Sequence, residues 1–445
     1  MSMVIKINKK KISKNLPTYF IADIAANHDG SLARAKKLIR LCAKAGADAA
    51  KFQHFKADTI VSEKGFNEIG KKSHQSKWKK SVYQTYKDAS INFSWTKHLK
   101  KECKKNKIEF MTAPYDLDYV NKVNKYISAY KIGSGDITWI KSIKLMAKKR
   151  KPIILATGAS SLNEVKKAIK EIKKINKKII LMQCNTNYSK EEINFNNINL
   201  NVLKNYNKIF KNVILGLSDH TPGHATVLGA VTLGARVVEK HFTDDNERNG
   251  PDHKFSLNPK TWKLMVDETR RLEKSLGDGI KKVENNEKLT VFIQRRSYYA
   301  YTEIKKGEKI TYEKIIPLRP FLKNSISPDK DNKIIGCCRG EASIVAVQSL
   351  NNTDGASGGY IWHSDTVGML NSEKFTHHLN KPNEAYIGGN ESHINLPPYY
   401  SLAFIMKLDT SVSIDVSPYD SNEYDNIIKE QNDKILADIT ADNKL

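Results

Sequence analysis

From residue 19 to about 280 the chain alternates between short apolar runs and longer segments whose apolar positions recur every three or four residues. The runs are YFIADIA (19–25), ADAAKFQ (47–53), IEFMTA (108–113), AYKIGS (129–134), PIILAT (152–157), IILMQC (179–184), VILGLS (213–218) and ARVVEKHF (235–242). They are too short for core helices and read as buried strands. Between the first two, SLARAKKLIRLCAKAG places Ala35, Leu38, Ile39 and Cys42 at helical spacing, and Gly46 supplies a stop. Near the end of the series, Val213–Leu217 and Arg236–Glu239 read as strands around a helix-like stretch from Gly223 to Gly234. Strand, helix, strand is the unit of a parallel sheet. Eight such units in roughly 250 residues predict a (β/α)8 TIM barrel. A doubly wound open sheet is the alternative, although no glycine-rich dinucleotide fingerprint follows the first strand.

The pattern then changes. RRSYYAYTEIKKGEKITYEKIIPLRP (295–320) breaks into short strand-like pieces around a Lys-Gly turn, which predicts a small, mostly β domain over 286–345 after a barrel over 1–285. Residues 346–445 hold six lysines, no arginine and 14 acidic residues, against a formal charge of +26 for all 445 residues. So sharp a change of sign marks an acidic C-terminal region of separate character. It contains strand-like pieces and a terminal stretch with Tyr424, Ile427, Ile428, Ile435, Leu436 and Ile439 on one helical face. Its His363, His377 and His378 read as surface histidines.

Charge and cysteine content narrow the function classes. The positive excess is lysine spread along the chain among many Asn and Ile residues, not a basic stripe interleaved with aromatics, so no nucleic-acid partner is expected. No apolar run approaches the ~18 residues of a membrane span, so no membrane partner is expected either. MSMVIKINKKKISKN lacks the apolar core and cleavage site of a secretory signal. Five cysteines, Cys42, Cys103, Cys184, Cys337 and Cys338, show no CxxC spacing. Reduced thiols and a cytoplasmic location are the expectation.

Barrel sites are built where strands end. The first four strands bring Asp23, Lys51, Gln53, Thr112, Lys131, Ser134 and Asp136 to that edge, and the later ones bring Tyr188, Ser218, His220, Glu239 and His241. A lysine inside an apolar run is costly to bury without a partner. Lys51 and Lys131, with Ser134, Ser218 and the backbone near Gly133 and Gly135, therefore point to a carboxylate or phosphate ligand; a structural network with neighbouring carboxylates is the other possibility. His220 and His241 have the chemistry to share one divalent metal, and two protein ligands are too few for a closed structural zinc site.

FIADIAANHDG, DAAKFQHFKADTI, AYKIGSGDI, ILATGASS, QCNTNY, GLSDHT, EKHFT and GPDHKFS stand in an order that resembles the sialic acid synthases over residues 18 to about 340. The resemblance implies a TIM barrel followed by a small antifreeze-like SAF domain, of which RRSYYAYTEIKKGEKIT and LRPFLKNSISP look like the first part; the pattern fades after IIGCCRG. It implies condensation of phosphoenolpyruvate with N-acetylmannosamine or a related acetamido sugar, to a nine-carbon 2-keto acid. It assigns phosphoenolpyruvate to Lys51, Thr112, Lys131, Ser134 and Ser218, the metal (Mn²⁺) to His220 and His241, and proton transfer to Asp136. Gln53, Tyr188 and Asp252 match sugar contacts, and Asp23 a carboxylate at the mouth. Arg319 matches an arginine that reaches the partner subunit's site, which implies a homodimer with exchanged SAF domains. The chain departs from the pattern at Asp23 and Asp136, where the best-known members carry glutamate, and at Ala156, which often is serine. Other readings of the same residues are a different phosphoenolpyruvate-dependent sugar synthase, a metal-dependent aldolase and a catalytically weakened carbohydrate-binding protein.

Overall fold

The computed structural model describes residues 3–302 except 70–74, 76, 77, 79, 189 and 190, and beyond them 304, 311–321, 327, 328, 348, 349, 359 and 360. These belong to two compact units, Met1–Ile280 and Lys281–Leu445. The terminal helix expected around Tyr424–Ile439 and the three C-terminal histidines lie outside the described residues. Among the described residues no helix is long and apolar enough to cross a membrane.

The first unit opens with an antiparallel hairpin, β1 (Ile5–Ile7) and β2 (Lys10–Ile12). Eight strands follow: β3 (Tyr19–Asp23), β4 (Ala49–His54), β5 (Glu109–Pro114), β6 (Tyr130–Ile132), β7 (Ile153–Ala156), β8 (Ile179–Cys184), β9 (Ile214–Asp219) and β10 (Ala235–His241). Each lies within two residues of its predicted run. All seven hydrogen-bonded pairings are parallel, in the order β5-β4-β3-β10-β9-β8-β7-β6. The end strands β5 and β6 also lie against each other, which brings the sheet round into a TIM-barrel-like α/β fold.

Side-chain alternation creates two cores. Tyr19, Ile21, Ala49, Met111, Ile154, Ile180, Met182 and Val237 fill the inside. Phe20, Ala22, Phe52, Phe110 and Val238 face outward onto the helices. The first helix, Leu32–Lys44, buries Ala35, Leu38, Ile39 and Cys42, the positions its spacing predicts. Ser31 caps its start, and Gly46 follows its end with φ of +95°, which glycine adopts without strain. Ile5, Ile7 and Ile12 of the hairpin are about 1% exposed and join the inner core beside Tyr19, so the hairpin stops the N-terminal end of the barrel. That leaves the C-terminal ends of the strands as the open mouth.

The second unit contains the helix Lys288–Gln294 and an antiparallel pair, β11 (Ser297–Ala300) with β12 (Ile315–Leu318). Tyr298, Tyr299 and Ile315 are buried there. Arg319 follows β12 directly, and its peptide bond to Pro320 is cis.

Candidate functional site

Inside a strand barrel, residues two apart share a face, so each mouth position is inherited from the core below it. Tyr19 and Ile21 lead to Asp23; Ala49 leads to Lys51 and Gln53; Val237 leads to Glu239 and His241. These side chains open onto a cavity of about 440 Å³. The same cavity receives Lys131, Ser134 and Asp136 from β6 and the turn after it, Tyr188 from the loop after β8, and Ser218, His220 and Asp252. The structure thus gathers eleven of the thirteen predicted site residues around one space.

At its floor is an ionic cluster. Lys51 Nζ lies 2.6 Å from Asp23 and 3.5 Å from Glu239, and Lys131 Nζ lies 3.2 Å from the same Glu239 oxygen. Ser218 donates to that oxygen at 3.2 Å. Both lysines are 2–3% exposed. Burial alone would push the Asp23 carboxyl up, but Lys51 and His241 outweigh it and hold its pKa below the usual value. Burial alone would also lower the pKa of Lys51; the Asp23 and Glu239 carboxylates reverse that and raise it, so the ammonium stays charged. Among the described residues the second Glu239 oxygen is buried without a hydrogen-bond partner. Two lysines and two carboxylates thus share a floor beside a cavity large enough for a small anion, and each ammonium has three donors, more than Asp23 and Glu239 take up.

Asp136 stands apart from the ion pairs. It ends a 3-10 turn, Ser134–Asp136, that follows β6. Burial pushes its pKa up to about 6, and the attraction of Lys131 offsets only part of that. A carboxyl poised there gives and takes protons near neutral pH.

On another side of the mouth the His220 and His241 rings are 5.3 Å apart. His220 Nδ1 is 2.7 Å from the Asn185 carbonyl, so that nitrogen donates and Nε2 carries the free lone pair. Burial, then repulsion from His241, keeps the His220 pKa well below its ordinary value and its ring neutral. Among the described residues His241 Nδ1 is buried without a hydrogen-bond partner, and Asp252 lies 3.8 Å from it. The Tyr188 ring covers His220 at 4.4 Å, and Phe255 packs 4.9 Å from His241. Among the described residues no set of three or more His, Cys, Asp or Glu side chains forms a metal cluster. The two imidazoles suit an ion whose remaining positions are filled by water or substrate.

Asp252 is held by its surroundings. It accepts the Ala26 N–H at 3.1 Å. The next residue, His253, is fully buried and bridges Asp29 (2.9 Å) and Thr243 (2.7 Å), while Arg34 and Arg248 also reach Asp29. This network ties the Asp252 loop to the loop after β3. Asp29 and His253 stand in the motifs FIADIAANHDG and GPDHKFS but carry no predicted role, because their pairing joins loops far apart in the chain. Glu239 lies near the end of β10 and carries no predicted role; its spacing of two from His241 is the signal that puts both inside.

Two expected residues are not brought to this cavity. Thr112 shares the outward face of β5 with Phe110, while Met111 and Ala113 face inward. Its hydroxyl donates to the Phe52 carbonyl at 3.0 Å and meets His54 Nδ1 at 2.7 Å, on the helix side. Arg319 belongs to the second unit.

The NeuB family profile matches residues 38–281. An N,N'-diacetyllegionaminic acid synthase of Campylobacter jejuni is 38% identical, over 72% of this chain and 95% of its own length. A pseudaminic acid synthase of the same organism is 33% identical over 68% of this chain and 87% of its own. Among solved structures, the N-acetylneuraminic acid synthetase of Leptospira borgpetersenii, crystallised with citrate, superposes with a TM-score of 0.57 at 30% identity, over 65% of this chain and 96% of that one. With the family profile and the legionaminic acid synthase both matching across its barrel, the chain belongs to the NeuB family of sialic-acid-type synthases and is a carbon–carbon bond-forming transferase.

Proposed function

We propose that this enzyme condenses phosphoenolpyruvate with a hexose bearing acetamido groups, N-acetylmannosamine or a relative, to give a nine-carbon 2-keto acid and inorganic phosphate. The observation that carries this reading is the floor of the cavity. Lys51 and Lys131 are buried there around one Glu239 oxygen, with the Ser134 and Ser218 hydroxyls beside them. Two ammonium groups match the carboxylate and phosphate of phosphoenolpyruvate, and they stabilise charge most where water is excluded. Gln53, Tyr188 and Asp252 line the same space and offer the donors and acceptors a sugar needs. His220 and His241 would hold a divalent ion, Mn²⁺ in this reading, which when bound supplies Lewis acidity toward the sugar aldehyde.

In the reaction the methylene carbon of phosphoenolpyruvate forms a bond to the aldehyde carbon of the open-chain sugar. Water adds at the former enol carbon, and the phosphate C–O bond breaks to leave the ketone. Asp136, as carboxylate, accepts the proton that the attacking water gives up and passes it to the former aldehyde oxygen, which ends as a hydroxyl, while the second water proton leaves with the phosphate as the ketone forms. Lys51 and Lys131 hold the anion while its charge moves toward the departing phosphate. Arg319 completes the reading as a contact to the sugar across a homodimer, since its planar fork suits an acetamido oxygen. Hybrid dimers of Arg319→Ala and Asp136→Asn should then recover activity; parental activity in confirmed hybrids excludes that role.

The test of the reaction is a panel of acetamido hexoses incubated with enzyme, phosphoenolpyruvate and Mn²⁺. Phosphate released one for one with a 2-keto acid of the summed carbon count is the expected result. A 2-keto acid formed without phosphate release, or no product with any sugar, overturns it.

A further inference from the structure

Around the cavity floor β7 brings Ala156 and β8 brings Cys184, whereas five other strands bring a charged or hydroxyl-bearing inward group: Asp23 on β3, Lys51 on β4, Lys131 on β6, Ser218 on β9 and Glu239 on β10. Strand β5, between β4 and β6 in the closed barrel, does not. Its inward side chains are Met111 and Ala113, and the Thr112 hydroxyl is engaged on the outer face. The next inward position, one residue past the strand, is Tyr115.

Tyr115 is anchored and aimed. Its N–H donates to the His54 carbonyl at 2.9 Å, and its ring stands edge-on to Phe55 with centroids 6.2 Å apart. The side chain lines the cavity. Its hydroxyl is 2.8 Å from where a Cβ on Gly133 would sit, with two ring carbons at 3.1 and 3.3 Å. Gly133 is therefore glycine because the phenol occupies the room of its side chain. That glycine is the residue between Ile132, where β6 ends, and the Ser134–Asp136 turn, two positions beyond Lys131. The phenol thus stands where the lysine, the serine and the acid-base carboxyl converge. Burial, and then the fields of Asp23, Asp136 and Glu239, push its pKa well above 10, so it is a donor at every working pH. Among the described residues its hydroxyl makes no hydrogen bond.

We propose that Tyr115 is a substrate-binding residue whose hydroxyl donates a hydrogen bond to the phosphoenolpyruvate anion held by Lys51 and Lys131, supplying from β5 the hydroxyl that Thr112 turns away. The inference rests on the phosphoenolpyruvate reading above. A phenol suits this place because its ring is fixed by Phe55 and Gly133, so little freedom is lost when the anion binds.

The test is calorimetric titration of the free enzyme and Tyr115→Phe with phosphoenolpyruvate, beside steady-state KM values for both substrates and a thermal melt. Phenylalanine keeps the ring packing, so Tm should not move. Loss of a hydrogen bond to a charged acceptor should weaken phosphoenolpyruvate binding about tenfold or more, with the sugar KM unchanged. Wild-type enzyme that binds phosphoenolpyruvate no better than the variant overturns the role of Tyr115 alone. A loss that falls on the sugar KM instead also overturns it. Wild-type enzyme that binds no phosphoenolpyruvate overturns the parent reading and this inference with it.

Discussion

Two groups of buried lysines and carboxylates meet on opposite faces of strands β9 and β10, the inner one joined there by Lys51 of β4 and Lys131 of β6. On the outer face Lys240 pairs with Asp219 and donates to the Thr221 carbonyl at 2.6 Å, and both charged side chains are 1% exposed. Asp219 also receives the Thr226 hydroxyl at 2.7 Å and the Thr221 hydroxyl at 2.8 Å. On the inner face Lys51 and Lys131 share Glu239, and Lys51 also pairs with Asp23, so two cations meet two carboxylates at the edge of the cavity. The outer group is closed, with one cation, one anion and hydroxyls to spare. The inner group is open toward a cavity. Burial of a lysine therefore does not by itself mark a ligand site; an ammonium donor left over beside open space does.

The largest way to break this comparison is to remove one side of the closed pair. Asp219→Ala leaves the Lys240 ammonium buried and unpaired, which should cost about 3–5 kcal/mol of stability in denaturant unfolding. The same measurement on Lys131→Ala should show a much smaller loss, because Glu239 keeps Lys51 and Ser218. Equal losses would mean that the inner cluster is as structural as the outer one.

Asp136 gives an effect of opposite sign. Its folded pKa, about 6, lies above the usual value, so the folded state binds the proton more tightly than the unfolded chain does. Stability should fall as pH rises from about 4 to about 6 and stay reduced above that, by at most about 3 kcal/mol. Asp136→Asn should therefore be more stable than wild type at pH 8 in a melt, while losing activity. In the wild type, kcat/KM should drop below about pH 6 as the base is protonated. An activity profile flat from pH 5 to 8 would remove Asp136 from proton transfer.

The smallest effect lies within the closed pair. Thr226→Val removes one hydroxyl from Asp219 and leaves Lys240 and Thr221 in place. About 1 kcal/mol should be lost in unfolding, with no change in substrate KM. A loss as large as that of Asp219→Ala would show that the hydroxyls, not the lysine, hold Asp219.

Much of this architecture is legible in the chain itself. The eight strands announce themselves because each is buried on both faces and reads as an unbroken apolar run, so a lysine within one stands out at Lys51 and Lys131. The helix Leu32–Lys44 buries the four residues its spacing marks. The sequence conceals what depends on which way a strand turns. Thr112 and Lys51 look alike as polar residues in apolar runs, yet Met111 and Ala113 claim the inside of β5 and send Thr112 to His54. The β1–β2 hairpin, where Ile5, Ile7 and Ile12 alternate with lysine and asparagine, gives no strand signal because each strand is only three residues long. His253 and Asp29 meet from loops 224 residues apart, a distance no local pattern spans.

The central claim is that the inner lysines form a cradle for an anion and are not a second structural pair. Its most direct test is an equilibrium titration of wild type, Lys51→Ala and Lys131→Ala with phosphoenolpyruvate in the absence of sugar, monitored by calorimetry. A charge-assisted contact contributes about 1.5–3 kcal/mol, so each variant should bind roughly 10- to 150-fold more weakly than a saturable wild type, with the KM for sugar preserved. Phosphoenolpyruvate affinities that agree among the three folded proteins would contradict it.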